Sequence, residues 1–134
     1  MSEQENLDLI NRIYGAFGAG DIPGLLGMLA EDIDWFHPRP DQIPWGGARR
    51  GHQEVVGFFT ALGQSVDVER FEPGQFVAKD DQVIVFGGER MKVKSNGVAY
   101  EADWTHVFTV RDGKVAKFRE YTDTAAIINA LTSA

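Results

Sequence analysis

Two imidazoles, a carboxyl and a phenol are the groups in this chain placed to move a proton. His106 and Glu120 lie in one stretch, residues 98–121, which reads V-A-Y-E-A-D-W-T-H-V-F-T-V, then R-D-G-K, then V-A-K-F-R-E-Y. The spacing predicts two strands with a turn at Asp112-Gly113, because Gly takes φ > 0 without strain. Residues two apart on a strand share a face. Ala102, Trp104, His106, Phe108 and Val110 therefore lie together, with Asp103, Thr105 and Thr109 opposite. A face of Trp, Phe and Val is a buried face, and His106 is set in its middle. On the second strand Ala116, Phe118, Glu120 and Thr122 share a face, and Glu120 is the odd member. A titratable group on each of two paired strands, among apolar neighbours, predicts a pocket.

His37 closes a short strand over residues 33–37, on the same face as Trp35. Tyr14 lies on the apolar face of the first helix. The predicted pocket holds Tyr14, His37, His106 and Glu120, with Trp35, Trp104 and Phe118 as apolar wall. Phe86 and Arg90 are expected to join it, and Trp45 to cover its mouth. An imidazole exchanges protons near neutral pH. A carboxyl in an apolar wall is held neutral or orients an imidazole. A phenol hydrogen-bonds a carbonyl or enolate oxygen. The set suits proton abstraction beside a carbonyl, or an aldol-type cyclisation, on a small apolar molecule. It equally suits a satisfied core histidine at position 106, a strand-closing histidine at 37 and a packed tyrosine at 14. Both readings stay open on the sequence, as does a pocket that only binds.

Composition excludes several alternatives. The chain has 134 residues, 43% of them apolar, and a formal net charge of −7. Nucleic acid and anionic membranes select for basic patches, and the one adjacent basic pair is Arg49-Arg50. No apolar run has the length of a membrane span, and the acidic N-terminus does not read as a secretory signal; a cytoplasmic protein is expected. Without cysteine there is no thiol nucleophile or thiolate metal site. No G-x-S-x-G, P-loop or H-E-x-x-H occurs. His37, His106 and Glu120 have the types of a two-histidine, one-carboxylate metal site but no local signature of one. No metal and no cofactor is expected.

The elements that position these residues follow from periodicity. Ser2-Glu3-Gln4-Glu5 predicts a capping box for a helix over residues 3–18. Asp21 and Pro23 start a second helix ending near residue 30. Residues 38–50, rich in Pro and Gly, predict a long loop. Helical spacing returns over 51–62, with His52 at the surface. Strands are predicted over 66–71, 75–78 and 83–93, with a hairpin turn at Asn96-Gly97. Asp123 caps a last short helix over 124–131. Helices in front and strands behind predict one α+β domain over residues 1–134, with an antiparallel sheet.

The order of elements, together with N-R-I-Y-G-A-F-G-A-G-D, L-A-E-D-I-D-W-F-H-P, R-R-G-H-Q-E-V and W-T-H-V-F-T-V-R-D-G-K-V-A-K-F-R-E-Y-T-D, resembles the nuclear-transport-factor-2-like superfamily. The likeness looks closest to its polyketide-cyclase-like (SnoaL-like) branch. It implies a cone-shaped roll, with N-terminal helices on a strongly curved mixed or antiparallel sheet, and often a homodimer paired through the outer sheet face. Relative to ketosteroid isomerases of the superfamily, Tyr14 matches the oxygen-donating tyrosine. His37 matches the aspartate base, and His106 the protonated aspartate. The resemblance thus implies His37 as base and Tyr14 and His106 as oxygen donors, beside which Glu120 is expected to orient. Relative to limonene-epoxide hydrolases, Glu120 matches one catalytic aspartate and Arg90 the arginine. Lys92 stands where their second aspartate would be, which breaks that acid–base pair.

Overall fold

Capping decides where the first helix begins. In the computed structural model, which describes residues 2–133, the Ser2 hydroxyl accepts from the Glu5 N–H and the Glu5 carboxylate accepts from the Ser2 N–H. This capping box opens α1 (Glu3–Gly18), whose Leu9, Ile10 and Ile13 are buried. Asp21 caps α2 (Ile22–Leu26) through the Gly24 N–H. The second helix is shorter than its apolar spacing predicted. Leu29 and Ala30 are buried as strand residues instead, because β1 (Leu29–His37) is drawn into pairing with β6.

The predicted long loop ends early: β2 (Gly47–Arg50) returns antiparallel along β1. Next come α3 (Gly51–Ser65) and β3 (Val66–Lys79). β3 runs unbroken across the gap predicted at Glu72-Pro73-Gly74. Register shifts beside Glu69 and Gly74 absorb the extra residues. Pro73, lacking an N–H, is tolerated because β3 is an edge strand. β4 (Gln82–Val93), β5 (Ala99–Arg111), β6 (Lys114–Thr122) and α4 (Thr124–Leu131) complete the chain. At the β5–β6 turn Asp112 and Gly113 both have positive φ, 52° and 77°, the twist a two-residue hairpin turn needs.

The strands form one mixed sheet in the order β2-β1-β6-β5-β4-β3. β1 and β6 run parallel and every other pair antiparallel. The sheet is curved, and the helices pack on its inner face in an α+β arrangement. A register shift after Thr109 leaves Ala116 as the extra residue of β6. Buried Val115 therefore takes the inward place predicted for Ala116. Among the described residues no helix is long and apolar enough to cross a membrane.

Candidate functional site

Strand register brings the titratable groups together. β5 pairs His106 with Glu120 of β6, and both side chains are inward and buried. β1 runs beside β6 with Trp35 opposite Phe118. The next inward residue on each strand is His37 and Glu120. One carboxylate oxygen, Glu120 Oε2, consequently lies 2.9 Å from His106 Nε2 and 3.3 Å from His37 Nε2. Helix α1 lays Tyr14 over this pair, its hydroxyl 2.7 Å from His106 Nδ1. Aromatic faces fix both rings. His106 stacks on Trp104 at 3.8 Å and 11° between planes, and His37 on Phe58 at 4.2 Å and 26°.

The protonation pattern follows from these contacts. Burial alone would raise the Glu120 carboxyl. Its neighbour His37 and the hydrogen bonds from both imidazoles outweigh burial and hold it well below the ordinary carboxylate range. Burial lowers His106 in spite of that carboxylate, which favours a neutral ring. A neutral imidazole has one N–H, and the carboxylate draws it to Nε2. Nδ1 is then an acceptor, and Tyr14 donates to it. Burial, and next the charge of Glu120, push the Tyr14 phenol far up, so it keeps its proton. A chain of donors thus runs from Tyr14 through His106 to Glu120. His37 Nδ1, buried, has no hydrogen-bond partner among the described residues.

The cluster lines a cavity of about 70 Å³, apolar apart from these groups and Glu89, with Trp35, Phe58, Phe108 and Phe118 in its lining. That space suits a few waters, whereas ligand pockets hold roughly 300–1,000 Å³. A ligand must therefore displace side chains. Tyr14, Phe17, Phe59, Leu62 and Phe71 line both the cavity and a surface groove that passes Gly18, Gly20 and Pro73. These side chains separate the cavity from that groove.

Several sequence expectations are corrected by this geometry. Phe86 and Arg90 do not join the cavity. They point from the outer face of β4, where Arg90 meets Glu69 at 3.1 Å. Lys92 is likewise outward and exposed, so no hydrolase-type set forms around Arg90. Trp104 is buried with its ring over Gly87 and behind His106, outside the cavity lining. Trp45 is buried and lines the cavity rather than covering an open mouth. Tyr14 and His106 are turned toward each other, so their donors are already used. His52, expected at the surface, is half-buried with Nε2 3.0 Å from the Leu29 carbonyl oxygen. Among the described residues no group of three or more His, Asp or Glu side chains is arranged to hold a metal ion.

Glu89 is the lining residue that sequence reasoning missed. It is 8% exposed, on the inward face of β4. Burial, then the charge of Glu120, push its carboxyl up to about 8, against a weaker pull from the Tyr100 hydroxyl. The signal was present: Val83, Val85, Met91 and Val93 set an inward parity that includes position 89 and excludes 86 and 90.

Comparison with known proteins gives one consistent family. A family model described as the SnoaL-like domain matches residues 10–118. A crystal structure of a nuclear-transport-factor-2-like protein from Burkholderia xenovorans superposes with a TM-score of 0.90 at 38% identity, covering 98% of this chain and 99% of that one. The crystal structure of a protein named TerC, co-crystallised with polyporic acid, superposes at 0.87 with 28% identity, covering 96% of this chain and 99% of that one. An uncharacterised protein of Mycobacterium tuberculosis is 25% identical over 94% of this chain and 95% of its own.

Proposed function

The chain belongs to the SnoaL-like domain family, and on that footing we propose that it moves a proton on a small apolar carbonyl compound, with His37 as base. The observation that carries this reading is the shared Glu120 oxygen. It lies 3.3 Å from His37 Nε2, on the far side of the ring from the unpartnered Nδ1. An imidazole so placed takes a proton at Nδ1 while the carboxylate stabilises the imidazolium that forms. Tyr14 and His106 act through Glu120: their hydrogen bonds fix the carboxylate oxygen between the two rings. The relative TerC, co-crystallised with polyporic acid, supports the ligand class. Polyporic acid is a dihydroxyquinone bearing phenyl rings, apolar bulk around carbonyl and enol oxygens.

Deuterium exchange tests the reading. In heavy water, the protein is expected to speed exchange of the α-protons of 2-tetralone, followed by NMR. His37→Ala is expected to reduce the catalysed rate by about 10²–10⁴-fold. Undiminished exchange in that variant would remove His37 from the role. A wild-type protein that binds polyporic acid but exchanges no ketone, and in which His37→Gln keeps the affinity, would be a binding module of the same fold.

A further inference from the structure

The cavity has a base, and two of its titratable donors are already committed. The Tyr14 hydroxyl donates to His106, and the His106 N–H donates to Glu120. Neither is free to hold a ligand oxygen without breaking the chain that fixes the base. Glu89 is different. It lines the same cavity and is buried on β4, in register with Phe71 of β3 and Ala102 of β5. Phe71 lines both this cavity and the surface groove, so Glu89 is the cross-strand neighbour of a side chain that the two share. No cation stands beside it among the described residues, and the Tyr100 hydroxyl is the one neighbour that favours its ionisation. The other titratable groups around the cavity are Tyr14 from α1, His37 from β1, His106 from β5 and Glu120 from β6.

We propose that Glu89 is a ligand-binding acid of this cavity, donating its carboxyl O–H to the ligand's carbonyl oxygen opposite the His37 base. The inference rests on the reading of the cavity as a carbonyl site and adds its acid partner. The ligand class narrows accordingly to apolar compounds whose oxygen accepts a hydrogen bond and, in a substrate, gains negative charge in the reaction, such as enolisable ketones bearing an aryl ring. In the proton step, the C–H electron pair becomes the new C=C bond and the carbonyl π pair moves to oxygen. The proton goes to His37 Nδ1, and the Glu89 O–H holds the enolate oxygen. Return of the proton to carbon restores both residues. A buried carboxyl held near 8 remains a donor at neutral pH.

The test compares wild type, Glu89→Gln and Glu89→Leu. Polyporic acid affinity is measured by tryptophan quenching from pH 6 to 9, with 2-tetralone exchange alongside. Gln keeps a donor and Leu does not. Leu is expected to weaken binding ~10-fold and to slow exchange ~100-fold, while Gln restores most of both. Wild type should lose affinity above about pH 8 relative to Gln, since the Gln amide does not ionise. The infrared difference between wild type and Glu89→Gln at pH 7 should show a protonated carboxyl band. This readout stands even if the Leu variant fails to fold. Absence of the band, wild-type affinity in a folded Leu variant, or superposed pH profiles for wild type and Gln would each overturn the proposal while leaving the His37 reading intact. No binding of polyporic acid and no exchange by wild type would overturn both.

Discussion

A single oxygen, Glu120 Oε2, serves two buried imidazoles, and a second buried acid, Glu89, faces the same space. Their burial makes stability depend on pH in opposite directions. His106 is lowered from 6.5 and Glu120 from 4.5. As pH falls below those values, the unfolded chain takes up protons that the folded one resists, so the stability these groups contribute is lost on the acid side. Glu89 is raised from 4.5 to about 8. As pH rises through that window, the unfolded chain releases a proton that the folded one keeps, and stability is lost on the alkaline side. Glu89→Gln removes the second effect. By calorimetry its melting temperature should exceed that of wild type by about 5 °C or more at pH 8, with the gap closing toward pH 4.5. A constant gap across that range would mean that Glu89 ionises in the fold as freely as in solution.

The β-strands decided what was legible. Alternation on β5 gave the inward set Ala102, Trp104, His106, Phe108 and Val110 from the sequence, and the structure buries all five. The two ends of the chain, α1 with its capping box and α4 with its Asp123 cap, were equally readable because caps are local. Resemblance placed Arg90 inward on β4, with Phe86 expected beside it, and Glu89 was missed, an error of one residue in a period of two. The insertion at Ala116 could not be read, since a bulge leaves no mark in composition. Gly87 carries no sequence signal either, though the Trp104 ring lies against it. A Cβ there would lie 2.6 Å from the Glu72 carbonyl oxygen and overlap the Trp104 ring. Trp104 is the surface on which His106 stacks. Gly87→Ala should therefore cost about 1–3 kcal/mol in denaturant unfolding and shift the His106 ring resonances by NMR. Unmoved resonances would show that Trp104 does not position the imidazole.

The sheet uses its two faces for different purposes. The inner face carries the acid and imidazole groups, closed over by helices. Helix α4, which contributes Ile127 to the cavity lining, is held at its far end by Asn96. The Asn96 side-chain amide donates to the Ala130 and Ser133 carbonyl oxygens at 2.8 and 3.0 Å. Among the described residues the outer face has no such cover. Phe86, Thr105 and Tyr121 are register neighbours across β4, β5 and β6, and Phe86 is 45% and Tyr121 56% exposed. Arg70 and Arg90, both bridging to Glu101, form a charged border to this row. Exposed aromatic side chains with a charged rim have the composition of a protein interface, and we propose that a second copy of the chain pairs there. Sedimentation should find a dimer, and Tyr121→Glu should release monomers by placing a carboxylate in its centre. Alternate residues of a strand face opposite ways, so the same variant should bind polyporic acid with wild-type affinity. A monomeric wild type, or a Tyr121→Glu dimer as tight as wild type, would remove this face from the assembly. Loss of polyporic acid affinity on release of monomers would instead make the cavity depend on the partner, coupling through the strands two faces that the register keeps apart.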